Sequence, residues 1–322
     1  MEKVYEYYRE TPEGPISLLN AGPKEHAKLR KWFAPFFSDR GMKEQEKIIS
    51  GYVDLIIRRL SENLEDGTRV LDVRNWFNFC TFNILGKLAF SSSFGCLELA
   101  RYYPWEFMGY TIDKLNNRIK LGSRPDIIES LLNNKEGIKI DIKRLVQNST
   151  LLIAAGFKTT ATLLTATIYL FLTNSKAYDK VTDEVRNSFS DPSEINLTSV
   201  NKLLYMLVCL DEALRIFPVI PLWFPRRVTK HEAVINGNII PQGTFVAIWQ
   251  WPIYYSEKNF SKPLEYYPER FLGDPEFSRN RLDAVQPFNT GHANCIGRNL
   301  AYSEMRLILA RIFFNFNLKF AD

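Results

Sequence analysis

Reactive chemistry in this sequence centres on Cys295. It stands in Phe288-Asn-Thr-Gly-His-Ala-Asn-Cys-Ile-Gly297, just ahead of an apolar run with helical spacing. A helix N-terminus offers unpaired N–H groups and partial positive charge. Both stabilise a thiolate and lower its pKa. Gly291 and Gly297 permit a tight loop that a flat ligand can approach closely. Taken alone, a single cysteine of this kind reads as a buried, inert thiol. Glu212-Ala-Leu-Arg215 puts an acid and a base three residues apart on a predicted helix, within pairing distance. Most such pairs are surface ion pairs worth little. Ala155-Gly-Phe-Lys-Thr-Thr160 interrupts an otherwise apolar run with hydroxyls and one charge. His26 and Arg30 share a helix face, and Arg226 opens a β-type segment. Each of these reads as plain surface charge if seen by itself.

Together these segments resemble the cytochromes P-450. Phe288, Gly291, Cys295 and Gly297 match the family's cysteine-ligand loop, F-x-x-G-x-R-x-C-x-G. The family's Arg is Ala293 here, and His292 beside it is placed to substitute in part. The resemblance implies that Cys295 is the axial thiolate of a haem iron, a ligand that favours O–O cleavage. Glu212 and Arg215, followed by Phe217-Pro218, resemble the family's K helix. Tyr267-Pro-Glu-Arg-Phe271 resembles its P-E-R-F segment, which implies that Arg270 joins the pair in a buried structural cluster. Ala155–Thr160 resembles A-G-x-D/E-T-T. By that likeness the Thr159 hydroxyl breaks the helix hydrogen-bond pattern and shapes the oxygen site. The acid that normally aids proton delivery is Lys158 here, so delivery is expected to be impaired or rerouted through water. His26, Arg30 and Arg226 resemble the residues that reach the haem propionates. Gly156, Glu212 and Cys295 follow in the family's order and spacing. Trp76-Phe-Asn-Phe79, Leu88-Ala-Phe-Ser91 and Phe94-Gly-Cys-Leu-Glu98 resemble fungal members that oxidise secondary metabolites. The likeness runs from about Asn20 to Asp322.

The elements that must position these residues are mostly helical. Residues 24–38 read as a short basic helix. Residues 43–64 carry Ile48, Ile49, Tyr52, Val53, Ile56 and Leu60 at helical spacing, closed by Asp66-Gly67. Residues 72–90 form an aromatic-rich helix. From Leu151 to Leu172 the sole charge is Lys158, a stretch long enough to cross a bilayer. A lysine at that depth costs roughly 2.5–3.5 kcal/mol on insertion scales. The central buried helix of a soluble protein is the better reading. Residues 175–190 and 199–217 read as two more helices. Residues 225–249 change texture to β-branched runs punctuated by Gly and Pro, the chemistry of hairpins. Residues 252–294 read as irregular, and a last helix runs from near Gly297 to about Phe316. The fold class is mainly α with a small β region, one cytochrome P-450-like domain over residues 1–322.

Composition sets the outer bounds. Apolar residues make up 46% of 322 and aromatics 14%, which excludes disorder. The net charge is +5, from 41 basic and 36 acidic side chains, with no block suited to a phosphate backbone. A nucleic-acid partner is not expected. Four cysteines without C-x-x-C spacing argue against a disulfide framework and for a reducing compartment. Asn148 and Asn196 head glycosylation sequons that read as chance matches.

Against a full-length fungal member, three pieces look absent. These are an N-terminal anchor with the first β strands, the F and G helices (the join near Tyr110–Lys120 is too short for them) and a C-terminal hairpin. The resemblance implies a haem-thiolate monooxygenase that inserts one oxygen atom from O2 into an apolar small molecule, a fungal polyketide or terpenoid. Electrons would come from NADPH through a flavoprotein reductase. The family is typically intracellular, at the endoplasmic-reticulum membrane. A haem-binding pseudoenzyme, a degenerate fragment and a small membrane protein built on residues 151–172 are the alternatives.

Overall fold

A computed structural model of the chain describes residues 1–8, 14–64, 67, 69–101, 107–134, 140–221 and 224–321. Asp66, expected to close the second long helix, lies outside them. Twelve α-helices occur among the described residues: α1 (Tyr5–Tyr8), α2 (Pro23–Phe33), α3 (Asp39–Asn63), α4 (Val73–Phe90), α5 (Cys96–Leu99), α6 (Phe107–Lys120), α7 (Glu129–Leu132), α8 (Ile142–Thr173), α9 (Ser175–Ser188), α10 (Leu204–Ile216), α11 (Gln250–Tyr254) and α12 (Arg298–Asn315). Five short strands accompany them: β1 (Glu2–Lys3), β2 (Arg226–Arg227), β3 (Glu232–Ile235), β4 (Asn238–Pro241) and β5 (Phe245–Val246).

Side-chain caps set several helix starts. Asp141 accepts from the Arg144 N–H and begins α8 well before the apolar run does. Ser38 accepts from the Gly41 N–H and begins α3 at Asp39 rather than near Lys43. Pro23 sits in the first turn of α2, where its missing N–H costs nothing.

The core is built on α8 against α4, with α12, α3 and α10 around them. Gly156 decides how closely the first two approach. A Cβ there would lie 2.6 Å from Leu85 Cδ1. Phe82 and Phe157 meet edge to face at 4.9 Å across the same seam. α8 is the one described helix long and apolar enough to cross a membrane, and half of its most apolar stretch is buried inside the protein. Buried Asn148 ties the N-terminal segment to it. Its amide donates to Ile16 O and its oxygen accepts from Leu18 N–H. A sequon asparagine so engaged is no glycan acceptor.

Antiparallel strands run in the order β1-β2-β5, and β3-β4 form a separate hairpin. Asn236 and Gly237 both take positive φ, 48° and 79°, as its two-residue turn requires. The N-terminus supplies an edge strand to this sheet, with Glu2 and Lys3 paired to Arg227 and Arg226. A two-residue strand has no periodicity to read, and its partner lies far along the chain. The join near Tyr110 forms a single helix, α6, where the family's pattern calls for two.

Candidate functional site

A cavity of about 300 Å3 lies between the middle of α8 and the loop that leads into α12. Cys295, Phe288, Thr159, His26, Arg30 and Arg226 all line it. These residues come from four distant parts of the sequence. Lys158, His292 and Gly297 do not line it. Lys158 is exposed on α8 beside Thr159, with its ammonium 3.4 Å from the Asn78 side-chain oxygen. His292 is exposed and meets the buried His26 ring edge-on at 6.1 Å. A larger open groove of about 1300 Å3 runs along the outer face of α8 beside α9; Phe217 and Tyr267 border it, but none of the candidate catalytic, cofactor-binding or iron-ligating residues does.

The loop carrying Cys295 is closed by its own backbone. The Cys295 N–H donates to Phe288 O at 2.8 Å and the Asn294 N–H to Gly291 O at 3.1 Å. Gly291 takes φ +73°, a conformation that L side chains rarely adopt. Gly297 has no such role. Its φ is −85°, and a Cβ would meet only Cys295 Sγ at an ordinary 3.9 Å. Phe288 packs on Tyr302 of α12, ring centres 5.3 Å apart. The thiol differs from expectation. Burial pushes the Cys295 pKa up, and a hydrogen bond from Gly297 N–H with the charges of Arg30 and Arg298 only partly offsets this. The helix N-terminus is present, but desolvation of the sulfur outweighs it.

Thr159 donates its hydroxyl to Ala155 O at 2.7 Å, one turn back, and α8 runs through this point unbroken. His26 is buried, and its pKa falls to about 4 through desolvation first, then the nearby positive charges of Lys3, Arg30, His292 and Arg226. It is therefore neutral near pH 7. Arg30 donates to the backbone carbonyl of Asn294 at 2.7 Å and also to its side-chain oxygen. That ties α2 to the residue before Cys295. Arg226 donates to the Tyr8 hydroxyl at 2.9 Å. Asn294, Lys3 and Tyr8 also border the cavity and escaped the sequence reading. Nothing local marks them, because their relevance comes from partners hundreds of residues away.

Glu212, Arg215 and Arg270 lie below the surface, each with a fully buried side chain. Arg215 grips Glu212 with two nitrogens, at 2.7 and 2.8 Å. Arg270 Nε donates to Glu212 Oε1 at 3.1 Å, and the Tyr267 N–H adds a bond of 3.0 Å. The remaining guanidinium donors go to carbonyls, among them Tyr254 O, Pro263 O and Lys262 O. A buried ion cluster survives only when so fully bonded.

A family model described as cytochrome P450 matches residues 1–112 and 105–322. The chain belongs to the cytochrome P450 family. Its relatives are fungal. Cytochrome P450 monooxygenase 1 of Neocamarosporium betae is 38% identical, over all of this chain and 74% of that protein. Cytochrome P450 monooxygenase tpeC of Talaromyces stipitatus is 41% identical, over 97% of this chain and 69% of that protein. Averantin hydroxylase of Dothistroma septosporum is 38% identical, over 95% and 66%. The first alignment spans 361 positions against a chain of 322 residues, so that relative has internal positions this P450 lacks. As a cytochrome P450 the chain is a haem-dependent monooxygenase type, an oxidoreductase that works on a small molecule with a redox partner. Its cavity suits that cofactor. It joins an apolar wall to one thiol and a basic rim, and no Asp or Glu lines it among the described residues.

Proposed function

We propose that this cytochrome P450 inserts one oxygen atom from O2 into an apolar small molecule, with Cys295 as the thiolate ligand of the haem iron. One observation carries the reading: Cys295 and Thr159, from separate elements, line the same apolar cavity with four basic side chains. Bound haem supplies the oxygen-activating chemistry. The chain's own residues hold and orient. The loop bond from Cys295 N–H to Phe288 O fixes the sulfur. Gly297 N–H softens its charge. Arg30 and Arg226 take the haem carboxylates, neutral His26 adds a hydrogen bond, and His292 backs His26. Thr159 shapes the oxygen side of the cavity. Glu212, Arg215 and Arg270 keep the frame in register.

In this reading electrons come from NADPH through a flavoprotein reductase. The substrate is a polyketide or terpenoid of fungal secondary metabolism, an inference supported by relatives named averantin hydroxylase and trichothecene C-15 hydroxylase. Residues 1–322 act as one intracellular domain, of a family typically found at the endoplasmic-reticulum membrane. Lys158 and Ala293 favour a second reading, a haem-binding chain without turnover. Both readings predict a thiolate-type Soret band in the reduced, CO-bound difference spectrum of the purified protein. Cys295→Ala should abolish that band while leaving the helical far-UV signal intact. A chain that never shows the band contradicts both readings, and a turnover assay separates them. Lys158 stands where an acid would aid proton delivery, so Lys158→Glu should raise product formed per NADPH consumed. An unchanged ratio assigns Lys158 no part in proton delivery.

A further inference from the structure

The wall of the cavity carries charge of one sign. Lys3, Arg30 and Arg226 line it, His26 adds a fourth basic group, and no Asp or Glu is among the described lining residues. Elsewhere the protein gives such groups acids. Arg144 has Glu25 and Arg227 has Glu6. Lys3 and Arg226 are also register partners across the β1–β2 ladder. Directly opposed residues leave a sheet on the same face, and like charges so placed repel. The adjacent rung has the opposite arrangement, with Glu2 facing Arg227. The ladder thus matches charges on one rung and sets cation against cation on the cavity rung.

The Lys3 ammonium is held in place by the carbonyls of Leu18 at 3.2 Å and Leu19 at 2.7 Å. Burial, and then the charge of Arg226, pull its pKa down to about 8. Tyr8 continues the same wall. It accepts from Arg226 and stacks on Phe224 with ring centres 6.4 Å apart. Two opposed cations become favourable when an anion sits between them.

We infer that Lys3 is a carboxylate-binding residue of the cofactor site, clamping one haem carboxylate together with Arg226 across the ladder. The N-terminal strand is then a wall of the haem pocket, and it brings a cation to a site whose ligand loop has Ala293 in place of the family's arginine. The inference rests on the haem reading above, and the test separates the two.

The experiment titrates the full-length apoprotein with haem and with haem dimethyl ester, which lacks both carboxylates. Lys3→Met should weaken haem about tenfold, the scale of one charge-assisted contact. It should leave affinity for the ester within about twofold, because a residue acting through the carboxylate has nothing to lose there. Lys3→Arg should retain most of the haem affinity. Equal losses for both porphyrins make Lys3 merely structural and overturn the inference. So does an unchanged haem affinity in Lys3→Met. A wild-type chain that binds neither porphyrin overturns the haem reading, and this inference with it.

Discussion

Glu304 on α12 is a buried carboxyl whose Oε1 has no hydrogen-bond partner. Burial alone pushes its pKa up to about 8. The unfolded chain releases that proton near the ordinary value of 4.5. Between these values the native state binds one more proton than the unfolded state, so stability falls as pH rises. The contribution is complete below the unfolded value and lost as pH climbs through about 8. Glu304→Gln should remove this slope. Urea unfolding near pH 5 and near pH 8 should find the variant gaining on the wild type by up to about 1.4 kcal/mol per pH unit across the window. Parallel profiles for the two proteins contradict the assignment. His26 works with the opposite sign. Its folded pKa of about 4 lies below the usual 6.5, so its contribution is present above 6.5 and lost as pH falls through about 4. At this scale the sequence marked Cys295 by its motif. It did not reveal that burial raises the thiol pKa, because desolvation depends on which walls surround the sulfur.

Among the elements, the α4–α8 seam is where one residue controls a whole wall of the site. Thr159 reaches the cavity only if α8 sits at its present distance from α4, and Gly156 with Leu85 sets that distance. Gly156→Ala should force the Leu85 side chain or one of the two helices to shift, at a cost of about 1–3 kcal/mol as for other overpacked cores. Adding Leu85→Ala should recover part of that loss, since it removes the atom the new methyl would strike. Thermal unfolding of both variants checks this, and additive losses contradict the contact. The apolar run placed α8, but its start at Ile142 came from Asp141, a cap lying several polar residues ahead of the pattern. The four-residue helices α1, α5 and α7 went unread because so short an element carries no period.

For the molecule as a whole, the Glu212 cluster fastens α10 to the irregular chain between Tyr254 and Arg270, the stretch that leads to the Cys295 loop. Glu212→Leu leaves two guanidinium groups buried without their carboxylate. The expected loss is about 3–5 kcal/mol, read by urea unfolding. A loss below about 1 kcal/mol indicates that the carbonyl bonds suffice without the carboxylate. The sequence by itself determined the family, the helical class, the order of the motifs and the three members of this cluster. Those are properties of residue type and spacing, which survive in a linear string. Only the tertiary structure decided which candidates share the cavity. It brought Thr159, Arg30 and Arg226 to Cys295, left Lys158 and His292 outside, and set Lys3 opposite Arg226. The physical reason is that side-chain direction, desolvation and cross-strand register are set by partners far away in the chain.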